Sequence, residues 1–384
     1  MKNTTQAIKR LLEAKAKNEK IGIWGDYDPD GVCSTVLLYE TLLKTGFSRK
    51  NLFIVLPHLL KFGRAFNPRH LQFLKDNNVS LIAGVDFGTS DFKGVNMAVK
   101  MGFDIILLDH HLQLPGKLSA ILVNPKQKGD SYPYKNWSAV GVVYKFLESF
   151  YKYTKLNIKD LEQSLDLVAI GMMTDRIKID RGNSPYLAKG LKLINQKKRL
   201  GVETLLKIAG FKKVDLAIIR NELTDYFGAQ KGNNDQNNVF RLLTAEHKDV
   251  AQLIARSIHK HVSVFRAVVQ KSIKQGINIF SKKPNLKVIL WERTPKMVGA
   301  VSTIAEKLNE YFKMPVFIYE KVDGLYRGSI RANYLKSPNT NVVEVLKSCS
   351  RLLISFGGHP AAAGFKLTKD NLDEFKKAIQ KYYE

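Results

Sequence analysis

Three aspartates on alternate positions, Asp26, Asp28 and Asp30, follow a short apolar run in IGIWGDYDPDGVCSTVLL (21–38). Further along, Asp86 closes SLIAGVD, Asp109, His110 and His111 close DIILLDHH, and Asp175 follows the apolar run DLVAIGMMT. Carboxylates aimed at one place repel one another unless a cation lies among them, and hard oxygen donors suit Mg²⁺ or Mn²⁺. Asp and His side chains converging on one edge have the composition of a dinuclear metal centre. Such a centre needs a bridging carboxylate, two ions about 4 Å apart and an open position for water. Taken singly, each group has a plainer reading: DPDG as a solvated turn, a strand-end Asp as a helix cap, the His pair as a structural feature. Their joint placement separates the two readings.

Such a centre needs a scaffold that brings the ends of distant segments together. Ile21, Ile23 and Trp24 predict a short buried strand, and Gly31 opens an apolar-periodic helix running towards Leu43. In extended chain, alternate spacing would point Asp26, Asp28 and Asp30 the same way. LFIVLP (52–57), SLIAGVD (80–86), DIILLD (104–109) and SAILVNP (119–125) predict further strands, with short helices over 67–77 and 91–101. Repeated βα units imply a parallel sheet covered on both faces, and open α/β sheets hold ligands beyond the carboxyl ends of their strands. Helical periodicity takes over at 138–154, 160–174 and 184–196, and a long basic helix is predicted over 246–275. A smaller mixed α/β segment starts near Leu286 with KVILW, followed by a helix over 297–312, PVFIYE, YRGSIR, a helix over 341–348 and a closing helix from Lys369. The expected division is a catalytic domain over 1–190, a helical basic connector over 191–280 and a smaller domain over 281–384.

Charge narrows the class of partner. Sixty-one Lys and Arg against thirty-five Asp and Glu give the 384-residue chain a formal charge of +26, which favours a polyanion. The segment Arg176–Arg220 carries twelve Lys/Arg against three Asp/Glu, enough to line a groove or to form a solvated face. Cys33 and Cys349, far apart, suit a reducing compartment without a disulfide framework. No stretch approaches the ~18 consecutive apolar residues of a membrane span, and the N-terminus has no signal-peptide core. The expectation is a soluble cytoplasmic protein with no membrane partner. In SFGGHPAAAGF (355–365), Gly357 and Gly358 allow close backbone approach, and free N–H groups with His359 can hold phosphate. Arg331 in GSIR offers forked donors. Packing alone also accounts for small residues in such a loop.

GDYDPDG, VDFG, LLDHH and MMTD, in this order, resemble the four motifs of the DHH phosphoesterase superfamily, and within it those of RecJ-type single-strand exonucleases. VNPK (123–126) and SAVGVVYKFL (138–147) resemble the family's segments between its third and fourth motifs. MVGAVSTIAEKL, YRGSIR and SFGGHPAAAGF resemble its C-terminal DHHA1 domain. The resemblance spans nearly the whole chain. It implies an α/β fold in which a parallel-sheet DHH domain is joined by a helical connector to a smaller mixed α/β DHHA1 domain, with the active site in the cleft between them. It also implies two Mn²⁺ or Mg²⁺ ions, with Asp28 and Asp30 on opposite ions, Asp86 bridging, and His110 and Asp175 completing the second site. Asp26 would serve the first ion directly or through water, Asp109 would orient a histidine, and His111 would face the scissile phosphate. Substrate would be held by His359, Gly357, Gly358, Arg331, Asn124 and Arg64. The implied activity is 5′-to-3′ hydrolysis of single-stranded DNA, preferred over RNA, to 5′ mononucleotides in repair, recombination or replication.

Some segments depart from the family pattern. PHLLKFGRAFNP keeps Arg64 but lacks the Gly-Tyr-Gly that relatives carry after the second strand. GAQKGNNDQNNVFR stands where relatives have a Pro-Arg…Asn-Ala…Gly-Arg stretch, leaving Arg241 as a candidate substitute. Full-length bacterial relatives add an OB-type domain. With this chain ending at Glu384, affinity for long strands is expected to come from the basic surface, or from a single-strand-binding or replication/repair protein. Two other readings compete. One is a phosphoesterase of the same superfamily acting on short oligoribonucleotides, cyclic dinucleotides or phosphoadenosine phosphate, which needs no long basic groove. The other is a catalytically silent nucleic-acid-binding scaffold, against which stands the filled set of metal-ligand positions.

Overall fold

Strand β1 (Lys20–Gly25) sends Ile21 and Ile23 into one apolar cluster and Trp24 into another, all three buried. A strand apolar on both faces belongs inside a sheet covered on both sides. In the computed structural model it pairs with β2 (Leu52–Val55) and β3 (Val79–Val85), and the sheet continues through β4 (Asp104–Leu108) to β5 (Ile121–Val123). The order is β2-β1-β3-β4-β5 and every pairing is parallel. Residues 1–57, 65–229, 237–293, 297, 299–322, 324–332 and 341–384 are described; Arg64 and residues 230–236 of the polar segment lie outside them.

The same alternation runs through β3 and β4. Leu81, Ala83, Ile106 and Leu108 join one cluster, Ile82, Ile105 and Leu107 the other. The first face is covered by α1 (Thr4–Ala16), α2 (Pro29–Lys44), α5 (Ala139–Thr154) and α6 (Leu165–Thr174), the second by α3 (Pro68–Asp76) and α4 (Phe92–Lys100). Caps set the helix starts: Asp28, Asn67 and Asp91 accept N–H groups of Gly31, His70 and Gly94. The helix expected over 160–174 is broken instead, into a short turn of helix at Ile158–Glu162 and α6, with Ser164 between them.

The contacts divide the chain into two units, Met1–Val262 and Ser263–Glu384. Residues 191–262, expected as part of a connector, bury Ile194, Val202, Leu205, Leu242, Ile258 and Val262 in the same cluster as α2 and α6. They include the end of α7 (Ser184–Asn195), α8 (Leu200–Ile208), α9 (Asn238–Leu243) and the first half of α10 (Lys248–Phe280). The second unit is a mixed sheet of β6 (Ile289–Glu292), β7 (Val316–Val322), β8 (Leu325–Arg331), β9 (Ser355–His359) and β10 (Ala362–Leu367), in the order β6-β7-β8-β10-β9. Helix α11 (Ala300–Phe312) packs with Val316 and Ile318 on one face, while α12 (Val342–Ser348) and α13 (Leu372–Tyr383) pack with Phe317, Ile330 and Phe365 on the other. Among the described residues no helix is long and apolar enough to cross a membrane.

Candidate functional site

The backbone ladder of the first sheet runs past the ends of its strands. The N–H of Asp26 donates to Val85 O (3.2 Å), that of Asp86 to Leu108 O (3.1 Å) and that of Asp109 to Val123 O (3.2 Å). Three aspartates are thus fixed at one carboxyl edge. Between β1 and β3 the winding of the sheet reverses, the place where open α/β sheets leave a ligand crevice. Asp86 holds a left-handed backbone, φ 65°, a conformation that costs a non-glycine residue roughly 1 kcal/mol and clusters at functional sites.

The alternate-spacing argument for Asp26, Asp28 and Asp30 does not survive. Only Asp26 continues the strand; Asp28 is the N-cap of α2, accepting from Gly31 N–H at 3.0 Å, and Asp30 lies in that helix's first turn. Asp30 is buried and accepts from Ser138 Oγ–H (2.9 Å), Ala139 N–H (2.6 Å) and Val140 N–H (3.1 Å), so it also caps α5 from outside. Gly171 in α6 makes room for it, since a Cβ there would stand 2.7 Å from Asp30 Oδ1. Asp175 follows the last turn of α6 and is more open.

The two histidines are set differently. His110 directs Nδ1 at the carbonyl of Trp137 (3.2 Å), which can only accept, so Nδ1 carries the proton. Its Nε2 then faces Asp86 Oδ1 at 3.4 Å with a lone pair, the arrangement of a metal-ligating imidazole. Burial, with His111 and Lys126 nearby, lowers its pKa against the pull of Asp30, keeping it neutral. His111 Nδ1–H donates to Asp109 Oδ1 (2.8 Å), and its side chain is 47% exposed. Asp109 has no exposed surface; it also accepts from the N–H groups of Thr89 (3.0 Å) and His110 (2.7 Å). Burial opposes its ionisation, but the hydrogen bond and charge of His111 together with Thr89 prevail and hold its pKa well below the usual range.

Candidate ligand atoms lie within 4.8 Å of one another in three sets: Asp26, Asp28 and Asp86; Asp30, His110 and Asp175; and Asp86, Asp109, His110 and His111. Asp86 and His110 each belong to two sets. Burial, then the charges of Asp28, Asp30, Asp26 and Asp109, push the Asp86 pKa well above the carboxylate range. Burial, then Asp175 and Asp28, push Asp30 up to about 7. Carboxylates crowded until they resist ionisation are a donor set that divalent cations fit.

Asn124, expected to touch substrate, is fully buried. Its Nδ2 donates to Thr89 Oγ1 (3.0 Å) and His111 O (2.8 Å), and its Oδ1 accepts from Lys126 N–H (2.8 Å), so it braces the histidine loop. In the second unit SFGGHPAAAGF is a hairpin rather than an open loop. Arg331 pairs with Ala362 and Ala362 with His359; Ser329 pairs with Gly364 and Gly364 with Gly357. Directly paired residues project to one side, so Arg331, Ser329, His359 and Gly357 share a face floored by Ala362 and Gly364. Gly357 and His359 are exposed there, and no atom would crowd a Cβ at Gly357. Gly358, at φ 148°, points to the other side, where a Cβ would stand 2.3 Å from Ala362 O. Arg331 Nη1 donates to Ser329 Oγ (2.9 Å) and Nη2 to Ser302 Oγ. Ser138, Gly171, Ser302 and Ser329 were not singled out from the sequence; only Gly171, a glycine inside an apolar helix one turn before Asp175, carries a local signal.

Residues 20–172 match the DHH family N-terminal domain and residues 285–384 the DHHA1 domain. The chain thus carries a DHH family N-terminal domain followed by a DHHA1 domain. It is 28% identical over 388 residues to the single-stranded-DNA-specific exonuclease RecJ of Bacillus subtilis, covering 99% of this chain and 47% of that protein. To RecJ of Dickeya dadantii it is 27% identical over 400 residues, covering 97% and 68%. The chain therefore spans about half the length of the first relative. The crystal structure of exonuclease RecJ bound to manganese shares this DHH–DHHA1 fold, with a TM-score of 0.85 at 22% identity over 100% of this chain and 94% of that one.

Proposed function

We propose that this protein is a RecJ-type, metal-dependent exonuclease that degrades single-stranded DNA from its 5′ end to 5′ mononucleotides. The observation that carries the reading is that two three-ligand sets, Asp26, Asp28 and Asp86 on one side and Asp30, His110 and Asp175 on the other, meet where His110 Nε2 stands 3.4 Å from Asp86 Oδ1. Ligand sets that adjoin in this way suit a pair of cations better than one. Asp26, Asp28 and Asp86 would hold one Mn²⁺ or Mg²⁺, and Asp30, His110 and Asp175 the other, with Asp86 common to both. Bound there, the ions would supply positive charge for the phosphoryl oxygens and acidify water.

The protein's own groups do the rest. Asp109 stays ionised and accepts the Nδ1–H hydrogen bond of His111, which favours the imidazolium; its Nε2–H would pass a proton to the departing 3′ oxygen and leave the neutral ring. His110 is held neutral and oriented by the Trp137 carbonyl. Arg331, Ser329, His359 and the Gly357 backbone offer donors for a phosphate of the strand. The overall +26 charge draws a polyanion, and two buried free cysteines fit a reducing, cytoplasmic setting.

The test is a time course in Mn²⁺ on single-stranded DNA and RNA of matched sequence, labelled at either end and supplied in short and long lengths. Mononucleotides released from the 5′ end of long DNA are expected. Cleavage of only short RNA would replace this reading with an oligoribonuclease, and binding without cleavage would replace it with a scaffold.

A further inference from the structure

The three residues proposed for one cation, Asp30, His110 and Asp175, come from a helix start, a strand end and a helix end far apart in the sequence. A single stretch, 134–140, is bonded to the first two and to the loop that follows the third. Ser138, Ala139 and Val140 donate to Asp30, and the Trp137 carbonyl accepts from His110 Nδ1–H. Tyr134 Oη–H donates to Asp180 Oδ1 (2.8 Å). Asn136 Nδ2 donates to Asp180 Oδ2 (3.0 Å) and to Lys178 O (2.8 Å). Asp26, Asp28 and Asp86, by contrast, are fixed by the sheet ladder and the start of α2.

The stretch is packed as well as bonded. The buried Trp137 ring stands edge-on to Tyr134 (4.8 Å between centroids) and to Tyr186 (5.3 Å), and two glycines make room for these rings. A Cβ at Gly182 would stand 2.2 Å from the Tyr134 ring, and one at Gly141 would stand 2.6 Å from that of Trp137. Asp180 is itself held. Its N–H donates to Oδ1 of the fully buried Asn183 (3.0 Å), and its Oδ1 also accepts from Gly182 N–H (2.8 Å). Contacts beyond the ligands orient them and tune the affinity of a metal site.

We propose that the Tyr134–Asp180 pair is a latch that sets one cation site and leaves its neighbour alone. It fixes the stretch whose carbonyl orients His110 and whose N–H groups aim Asp30. Tyr134 and Asp180 act through those ligands, as positioning residues. The inference rests on the two-cation reading above and adds which contacts tune one ion apart from the other. With the latch open, the Trp137 carbonyl would no longer hold the His110 proton on Nδ1, and Nε2 would present its lone pair only part of the time.

The experiment titrates the metal-free full chain with Mn²⁺, read by electron paramagnetic resonance of the free ion, and records ring-nitrogen NMR spectra of His110 in EDTA. Tyr134→Phe keeps the packed ring and deletes the hydroxyl. One of two Mn²⁺ affinities is expected to fall about tenfold with the other unchanged. The His110 signal should move from a single Nδ1–H tautomer towards a mixture. Adding Tyr134→Phe to Asp180→Ala should cost no more than Asp180→Ala alone, since the two share one bond. Arg10→Ala breaks ion pairs with Glu19 and Asp104 at the amino edge of the same sheet; it controls for lost stability and should leave both affinities and the signal unchanged. Equal loss at both sites, a loss matched by Arg10→Ala, or an unchanged His110 signal would overturn the proposal. A single ion in the unaltered protein would remove the two-cation reading, while the His110 signal, recorded without metal, would still decide the latch.

Discussion

The carboxylate edge of the first sheet and the hairpin face of the second are both polar, but they are built under opposite conditions. At the first, Asp26, Asp30, Asp86 and Asp109 are buried, and three of the four are tied into the backbone ladder. At the second, Gly357 and His359 sit exposed on the edge strand β9, and only Arg331 is tethered by neighbouring hydroxyls. Holding like charges together requires a scaffold that over-determines their positions. Gripping a flexible polyanion needs only donors on an accessible surface. Substitutions should therefore act as all-or-none at the sheet edge and as graded changes at the hairpin.

The largest effect is expected at Asp86, the shared ligand. Asp86→Ala should lower kcat by at least ~10³-fold, with strand binding in EDTA unchanged, read by single-turnover hydrolysis and anisotropy. His111→Ala should lower kcat by about 10²- to 10³-fold while leaving Mn²⁺ affinity intact, which separates the proton carrier from the ligands. Gly171→Ala forces a methyl against Asp30; a loss of Mn²⁺ affinity of about 10- to 100-fold would show that helix packing holds that carboxylate.

Acid–base behaviour sharpens the same contrast. In the metal-free protein Asp30 has a pKa of about 7 and Asp86 is also raised, first by burial and then by neighbouring carboxylates. The folded state therefore holds protons that the unfolded state has released, and stability contributed by these groups is present at low pH and lost as pH rises through the folded values. In EDTA the melting temperature should fall between about pH 5 and pH 8, and the protection given by Mn²⁺ should grow over the same range. The smallest effect belongs to the hairpin: His359→Ala should raise KM several-fold with kcat nearly unchanged, and an equal loss of kcat would move His359 into the chemistry.

The sheet and its aspartates are legible in the sequence because an apolar run ending in Asp is a local signal, and parallel strands bring such ends to one edge. What escapes is set by distant contacts. Asp30 reads as one of three like-facing carboxylates, yet its partners Ser138, Ala139 and Val140 lie more than 100 residues away. Asn124 is expected at the substrate only through the resemblance of VNPK to a family segment, while its burial depends on how Thr89 and His111 fold over it. The basic residues after 190 read as a connector because charge is conspicuous, whereas the apolar positions between them enter the first core. Alternation in YRGSIR predicts a strand, but only its register with β10 puts Arg331 and His359 on one face.

The central claim is that Asp86 joins two cation sites. The most direct test counts Mn²⁺ bound per chain at neutral pH, by electron paramagnetic resonance of the free ion, in the unaltered protein and in Asp86→Ala. Two ions in the first, with the loss of at least one in the second, is the predicted result. A single ion in the unaltered protein, or two ions bound as tightly without Asp86, would contradict it.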